Sequence, residues 1–266
     1  MKKFSIFLLL VLFAIAGLQV LFNKSAEEFV EDDLYDEIMQ RGKLIVGVHA
    51  DSKPFSFTNS KGELVGYDIE LARYIAQYLV KSPKNIEFVQ LEPSERLIKA
   101  STGEVDIVLA TLTITPQRQE VVSFSIPYDV AGQAVLVRTN SSIKSLSDLA
   151  GQNVGVIFGS TAEKNMASLV PTANLRGFKN YNDAYKALKA GHINAITSDD
   201  TILSGLAYDD DNVKILPKRY SQEPYGIAFK KSGSTIKLKE KLDFIIKDLQ
   251  QKNVIPRLRK HWEIGV

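Results

Sequence analysis

Arg118 is the residue whose type and position most directly suggest a binding function. It stands in the stretch ATLTITPQRQE, behind three threonines and a proline. Pro116 after Thr115 predicts the start of a helix, which places Arg118 in its first turn. A cation there opposes the helix dipole, and a bound anion would offset that repulsion. The arginine is therefore either an anion-binding residue or an ordinary solvated helix residue.

Other polar residues follow apolar runs in the same way. They are Asp51 and Phe55 after KLIVGV, Ala110, Thr111 and Thr113 after VDIVL, Gly159, Ser160 and Thr161 after NVGVIF, and Asp199 after INAIT. In open α/β sheets, ligands bind at the carboxyl ends of the strands. We therefore expect these positions to form one binding site.

Two of these positions also have purely structural explanations. Ser160 and Glu163 have the spacing of a capping box, although a helix N-terminus can also hold an anion. One carboxylate of the pair Asp199 and Asp200 can cap the next helix, which leaves the other for an ammonium group. An arginine, nearby hydroxyls and an aspartate together describe a receptor for the zwitterionic part of an α-amino acid.

Composition excludes several other kinds of protein. The chain has 33 Lys and Arg against 31 Asp and Glu, a net charge of +2, which argues against nucleic acid as a partner. The sequence contains no cysteine, which excludes disulfides, thiolate zinc sites and a cysteine nucleophile. The three histidines, His49, His192 and His261, are scattered singly. We expect no metal site, no cofactor and no catalytic residue.

The N-terminus has the layout of an export signal. Residues 1–22 place two lysines before an apolar run, with a possible cleavage site at Ala14–Ala16. The apolar character continues to Phe22, nearly the length that spans a bilayer. A cleaved signal peptide and an uncleaved membrane anchor both remain open, and either predicts an extracytoplasmic protein. Residues 23–41 form an acidic lead-in.

The rest of the chain predicts an α/β protein, because β-branched runs alternate with amphipathic helical patterns. Strands are predicted at 43–48, 86–91, 105–110, 133–138, 153–158 and 193–197. Asp68 is expected to cap a helix that ends near Leu79, and another helix begins near Ser94. Extended segments near 129–133 and 222–226 are expected to cross between two halves. Periodicity leaves open which half the C-terminal segment joins.

Several blocks together resemble one family. GYDIELARYIAQYL, DIVLATLTITPQRQEVVSFSIPY, VGVIFGSTAE and SDDTIL resemble, in order, the blocks of solute-binding proteins from polar amino-acid ABC importers. The resemblance extends from Gly42 to Trp262. It implies a two-lobed periplasmic-binding-protein fold of type II, with two mixed sheets flanked by helices and hinged by two strand crossings. The implied lobes are residues 42–130 plus 224–266, and residues 131–223.

The resemblance also implies roles for single residues. Arg118 would bind the ligand α-carboxylate, with help from Thr113 and from the amide and hydroxyl of Thr161. Asp199 would bind the α-ammonium group, assisted by the carbonyl of the residue at 110 or 111. Phe55 would cover the aliphatic part of the ligand. Asp51 would line the cleft.

Ligand choice rests on Arg96, which looks like the arginine that meets a side-chain carboxylate or amide in receptors for glutamate, glutamine or aspartate. We expect it at the mouth of the cleft, with a solvated helix arginine as the alternative, and His49 and Lys53 as weaker sources of positive potential. The implied protein is a monomer that delivers an amino acid to an ABC permease. The alternatives are an enzyme that resembles cyclohexadienyl or arogenate dehydratases and a ligand-sensing module.

Overall fold

The computed structural model describes residues 33–264. The predicted signal or anchor at 1–22, and most of the acidic lead-in, lie outside these residues. The helices are α1 (Leu34–Arg41), α2 (Tyr67–Leu79), α3 (Arg96–Thr102), α4 (Pro116–Val121), α5 (Thr161–Leu169), α6 (Tyr181–Lys189), α7 (Asp200–Ala207), α8 (Ile236–Gln251) and α9 (Val254–His261). The longer strands are β1 (Leu44–Val48), β5 (Ile86–Gln90), β9 (Gln133–Arg138), β10 (Asn153–Ile157), β11 (Asn174–Phe178) and β12 (Ala195–Asp199). The shorter strands are β2 (Asp51–Ser52), β3 (Ser56–Thr58), β4 (Leu64–Val65), β6 (Ile107–Val108), β7 (Val122–Phe124), β8 (Asp129–Ala131), β13 (Val213–Ile215), β14 (Glu223–Tyr225) and β15 (Ala228–Lys230).

The first large sheet contains strands from both ends of the described chain. Its order is β5-β1-β6-β15-β7, with β1 parallel to β5 and β6 and with β15 antiparallel to β6 and β7. Helices α2 and α3 pack against this sheet. The C-terminal strand β15 thus lies inside the first sheet, a placement that periodicity left open.

The second large sheet is built from the middle of the chain. Its order is β11-β10-β12-β9-β13, in which β10 runs parallel to β11 and β12 while β9 runs antiparallel to β12 and β13. Helices α5, α6 and α7 pack against it. Both large sheets are therefore mixed and flanked by helices, as predicted.

Two short strands connect the two halves. β8 and β14 pair antiparallel, with Glu223 opposite Ala131 and Tyr225 opposite Asp129. The segments predicted to cross between the halves are thus extended, and they support each other through backbone hydrogen bonds.

The start of α2 differs from the prediction. Gly66, at φ 131°, is the N-cap residue, and Asp68 lies fully buried in the first turn. A Cβ at Gly66 would lie 2.2 Å from the Phe55 carbonyl oxygen, so the close approach of these two segments requires glycine. Burial raises the pKa of Asp68 to about 8. Asp68 is therefore a buried carboxyl group in the first turn of α2 and not its N-cap residue.

Two strands differ from the predicted bounds by two residues or more at each end. The strand predicted at 105–110 contains only Ile107–Val108, and the backbone of Thr111 turns to φ 47°. The strand predicted at 193–197 is Ala195–Asp199, because its pairing with β9 continues to Asp199 opposite Gln133. Within residues 33–264, no helix combines the length and the apolar character needed to cross a membrane.

Candidate functional site

Arg118 is buried and reaches from the first half of the molecule to the second. The Thr115 hydroxyl caps α4 by accepting from the Arg118 amide at 3.2 Å, as the sequence predicts. The guanidinium group donates to the Thr113 carbonyl at 2.8 Å and to the Gly159 carbonyl at 2.9 Å. Burial lowers the pKa of Arg118 to about 10, which leaves the group charged at neutral pH. The side chain is not a solvated helix residue.

Arg96 is also buried, and each of its three nitrogens donates to at least one backbone carbonyl. Its Nε donates to the Pro93 carbonyl at 2.9 Å, and one terminal nitrogen donates to the carbonyls of Ala110 and Thr111 at 2.9 and 3.3 Å. The other donates to the Gly159 carbonyl at 3.2 Å. The expected position at the cleft mouth is therefore wrong, and so is the solvated alternative. Arg96 and Arg118 share one carbonyl acceptor in the opposite half of the molecule.

Asp199 is a buried carboxylate at the end of β12. Its Oδ2 accepts from the Tyr225 hydroxyl at 2.6 Å, and its side chain makes no cap to α7. Burial and then the charge of Glu223 raise the pKa of Asp199 to about 7. The neighbouring Asp200 accepts from the Gly132 amide at 3.1 Å and pairs with Arg219. Neither aspartate caps the helix through its side chain in the way we expected.

The N-terminus of α5 lies opposite Arg118. The predicted capping box is wrong, because the Ser160 hydroxyl donates to the Ile157 carbonyl at 2.7 Å and α5 has no side-chain cap. The Thr161 hydroxyl donates to Glu223 at 2.8 Å and accepts from Gln133 at 3.0 Å. That hydroxyl is therefore not a donor for a ligand, whereas the uncapped amides of the helix N-terminus suit an anion.

These side chains meet in one small cavity. It is lined by Arg96, Thr111, Thr113, Arg118, Ser160, Thr161, Tyr181, Ser198 and Asp199, and its volume is about 10 Å³. A space of this size holds roughly one water molecule, so an amino acid can enter only after the two halves have moved apart. The Thr111 hydroxyl oxygen is buried without a hydrogen-bond partner among the described residues. Ala110 does not line the cavity, and its carbonyl accepts from Arg96.

Asp51 and Phe55 are not brought to this cavity. Asp51 accepts from the Tyr181 amide at the start of α6 at 2.9 Å, and it lines a separate cleft of about 550 Å³. Phe55 is fully buried and packs edge-on against Tyr67 and Tyr225, with ring centroids 5.7 and 5.5 Å apart. In this structure the Asp51 side chain joins the two halves, and Phe55 contacts the site only through Tyr225.

The two weaker candidates, His49 and Lys53, do not line the cavity. His49 is fully buried, and burial lowers its pKa to about 3, so the ring is neutral at physiological pH. Lys53 lies with its Nζ 3.2 Å from the ring centroid of Tyr208. The expectation for His49 is therefore wrong, and the expectation for Lys53 stays a prediction.

Sequence reasoning missed Tyr181 and Ser198 in the cavity lining, and Glu223 and Tyr225 behind it. Ser198 immediately precedes Asp199, and Tyr181 is the first residue of a helix capped by Asn180. The rule that selected residues after predicted strands could have found Ser198, whereas no strand was predicted before Tyr181. No histidine, aspartate and glutamate cluster in the described part of the chain could hold a metal ion.

Comparison with known proteins gives consistent matches. A sequence model of the bacterial extracellular solute-binding proteins, family 3, matches residues 44–265. The ABC transporter glutamine-binding protein GlnH of Bacillus subtilis (strain 168) is 34% identical over 268 residues, which cover 98% of this chain and 97% of the relative.

Two solved structures are similar as well. One is an ancestral arginine-binding protein bound to glutamine, with 36% identity and a TM-score of 0.77 over 84% of this chain and 98% of that one. The other is an ancestral amino acid-binding protein described as a precursor of cyclohexadienyl dehydratase, with 33% identity and a TM-score of 0.78. It matches 86% of this chain and 98% of its own length.

Proposed function

The chain belongs to the bacterial extracellular solute-binding proteins, family 3, and from this premise we propose that it binds glutamine between its two lobes and delivers it to an ABC permease. The observation that carries the proposal is the placement of buried Arg118 and buried Asp199 in the lining of one cavity. A cation and an anion held in one small space match the two charges of an amino-acid zwitterion.

The carboxylate end of the site consists of Arg118, Thr113 and the N-terminus of α5. Two terminal nitrogens of Arg118 point to carbonyl oxygens of opposite halves, at 2.8 and 2.9 Å. A ligand carboxylate is a stronger acceptor than a carbonyl, and it matches the planar fork of the guanidinium group. Only the amide of Thr161 serves this end, since its hydroxyl is bound to Glu223.

The ammonium end of the site is Asp199, with Ser198 and Tyr181 beside it. The Ala110 and Thr111 carbonyls accept from Arg96, so Asp199 provides the charge that an ammonium group needs. The unpartnered hydroxyl of Thr111 offers a further contact with the ligand.

The choice of glutamine over glutamate follows from Arg96. Three of its four hydrogen bonds go to backbone carbonyls of its own half, whereas Arg118 makes only one such bond, so Arg96 is the less available of the two for a ligand carboxylate. A neutral amide side chain avoids burying an uncompensated negative charge. GlnH, whose name records glutamine binding, is similar over nearly the whole chain.

We also propose how the chain is divided into lobes and where the protein acts. We assign the lobes to residues 42–130 plus 224–266, and to residues 131–223, with β8 and β14 as the hinge. We propose an exported monomer that docks on the permease. N-terminal sequencing of the mature protein distinguishes a cleaved signal peptide from an anchor at residues 1–22.

Calorimetry with glutamine, glutamate, aspartate, arginine and cystine tests the ligand. We expect glutamine to bind most tightly, in the micromolar range, which corresponds to about −8 kcal/mol. Asp199→Asn should fold normally and lose binding, because removing one partner of a buried charge pair costs about 3–5 kcal/mol. Arginine or cystine as the tightest ligand would contradict the glutamine assignment.

We propose that the protein is not an enzyme, although a dehydratase precursor is among its structural neighbours. An elimination reaction needs a general acid in addition to the groups that hold the substrate. Within the cavity lining, Asp199 is already assigned to the ligand ammonium group. Incubation with prephenate and arogenate should give no product, and turnover would refute this part of the proposal.

A further inference from the structure

The hinge strand β14 carries two buried side chains that point to the candidate site. Glu223 and Tyr225 are two positions apart, so they lie on the same face of the strand. Their exposed fractions are 2% and 0%. Neither belongs to the cavity lining, and each contacts a residue that does.

Glu223 holds the carboxylate end of the site. Its Oε2 accepts from the Thr161 hydroxyl at 2.8 Å, and its Oε1 accepts from the Ser221 hydroxyl at 2.5 Å. Gln133, the first residue of β9, donates to the same Thr161 oxygen at 3.0 Å. Asn165 of α5 donates to Gln133 at 3.0 Å and to Glu223 at 3.4 Å. The first two turns of α5 are therefore bound to the hinge through side chains.

Tyr225 holds the ammonium end of the site. Its hydroxyl donates to Asp199 Oδ2 at 2.6 Å and lies 3.4 Å from the Thr201 hydroxyl. Its ring packs between Phe55 and Tyr128, with centroid distances of 5.5 and 6.2 Å. These ring contacts fix the tyrosine independently of the carboxylate that it orients.

We infer that Glu223 and Tyr225 are positioning residues through which one hinge strand holds both ends of the zwitterion site. The inference rests on the proposed amino-acid binding. A rotation of β14 moves Thr161 and Asp199 together, so the site has its binding geometry only in one arrangement of the hinge. Hinge closure and site assembly are then a single event.

The two residues act on Asp199 in opposite directions. The titratable or charged groups that face Asp199 are Arg96, Arg118, Tyr181, Asp200, Glu223 and Tyr225. After burial, the charge of Glu223 is the largest influence that raises the pKa of Asp199, whereas the Tyr225 hydrogen bond lowers it. Removing the Tyr225 hydroxyl should therefore raise the pKa of Asp199, and removing the Glu223 charge should lower it. General damage to the fold would not shift this pKa in opposite directions in the two variants.

The experiment measures glutamine binding by calorimetry from pH 5.5 to 9 in the full chain and in two variants. Tyr225→Phe keeps the ring and removes the hydroxyl, and Glu223→Gln keeps the size and removes the charge. Tyr220→Phe is the matched control for the first, because the Tyr220 hydroxyl has no hydrogen-bond partner among the described residues. Glu240→Gln, at an exposed position of α8, is the control for the second.

Tyr225→Phe should weaken binding about 10- to 100-fold, the range for a hydrogen bond to a charged group. The pH below which binding is lost should rise in this variant. Glu223→Gln should weaken binding about tenfold above pH 8 and move the same pH limit downward. Both controls should keep the wild-type affinity and pH profile.

The outcomes separate this inference from the proposed function. A wild-type protein that binds none of the five amino acids overturns both. Wild-type binding, together with unchanged affinity and pH limits in both variants, overturns only the positioning roles. The positioning roles are also overturned if both variants shift the pH limit in the same direction. They are overturned as well if either variant fails to unfold cooperatively without ligand, because a positioning residue can be replaced without loss of the fold.

Discussion

Substituting Gly205 by alanine should separate ligand affinity from stability. Gly205 lies in α7, and a Cβ at this position would be 1.8 Å from the Lys53 carbonyl oxygen and 2.5 Å from its carbon. Non-bonded heavy atoms stay roughly 3.3 Å or more apart, so the two segments must separate by about 1.5 Å. Lys53 follows β2 in the first half of the chain, whereas α7 packs on the second sheet.

This separation acts on the contacts that join the two halves. Bonds of 2.9 Å from Tyr181 to Asp51 and from Arg118 to Gly159 would lengthen beyond hydrogen-bond distance. Each involves a charged group and is worth about 1.5–3 kcal/mol, so partial loss of both costs about 2–4 kcal/mol. We therefore expect Gly205→Ala to bind glutamine about 30- to 1000-fold more weakly than wild type.

Stability should change in the opposite direction. We expect the ligand-free protein to open at the hinge, so that the contacts between the halves add nothing to its stability in wild type or variant. Alanine is a better helix former than glycine by about 0.5–1 kcal/mol, so the ligand-free variant should unfold at the wild-type temperature or above it. Calorimetry gives the affinity, and thermal unfolding without ligand gives the stability. Gly233→Ala is the control, since a Cβ there has no atom within 4 Å. An affinity within twofold of wild type in Gly205→Ala would refute the reasoning.

Four further changes test the site and its surroundings. Arg118→Lys should weaken glutamine binding about 10- to 100-fold by calorimetry, because a point charge cannot replace a planar fork; unchanged affinity would exclude Arg118 from the ligand. Arg96→Ala should lower the free energy of unfolding in urea by about 2–4 kcal/mol, since carbonyl groups lose their donor; a variant as stable as wild type but weaker in binding would instead give Arg96 a ligand role. Glutamine affinity should fall by up to about tenfold per pH unit below pH 7, because Asp199, with its pKa raised to about 7, must be ionised; a flat titration would contradict that requirement. The free energy of unfolding of the wild type should fall as the pH rises towards 8. Between about pH 4 and pH 8 the Asp68 carboxyl is protonated in the folded state but ionised in the unfolded state, so a rise in pH favours unfolding. In urea titrations at pH 5 and 9, Asp68→Asn should show a smaller difference in stability between the two pH values than wild type does.

The sequence predicted the elements whose pattern is local. β9 has the predicted bounds Gln133–Arg138, and β1 and β10 differ by one residue at one end. Their β-branched runs are long and end at clear turns. Strand β6 is shorter than its apolar run suggests, because Thr111 enters a left-handed conformation that residue type does not reveal.

Candidate site residues were predictable where they follow a strand. Thr111, Thr161 and Asp199 lie in the cavity lining for this reason, whereas Arg118 was predicted from its place in the first turn of a helix. The partner of each polar group was not predictable, because it depends on distant segments. Thr161 is bound by Glu223, 62 positions away, and no local pattern relates the two.

The side chains of Arg96 and Ser160 show the same limit. A surface position and a capping box were reasonable from neighbouring residues alone. In the fold, Arg96 reaches a carbonyl 63 positions away, and Ser160 bonds to its own preceding strand. Contacts with distant segments determine the burial of Arg96. A carbonyl of the preceding strand, rather than the helix, determines the hydrogen bond of the Ser160 hydroxyl.

The position of β15 has a consequence for how this chain reaches its folded state. Ala228 pairs with Val108, more than a hundred positions earlier, and β15 lies between β6 and β7 in the first sheet. That sheet cannot be completed until the C-terminal strand has emerged from the ribosome. Contacts so distant in sequence slow folding. Slow folding keeps the chain unfolded for longer after synthesis. For a member of an extracellular family, this delay favours secretion before the tertiary structure forms.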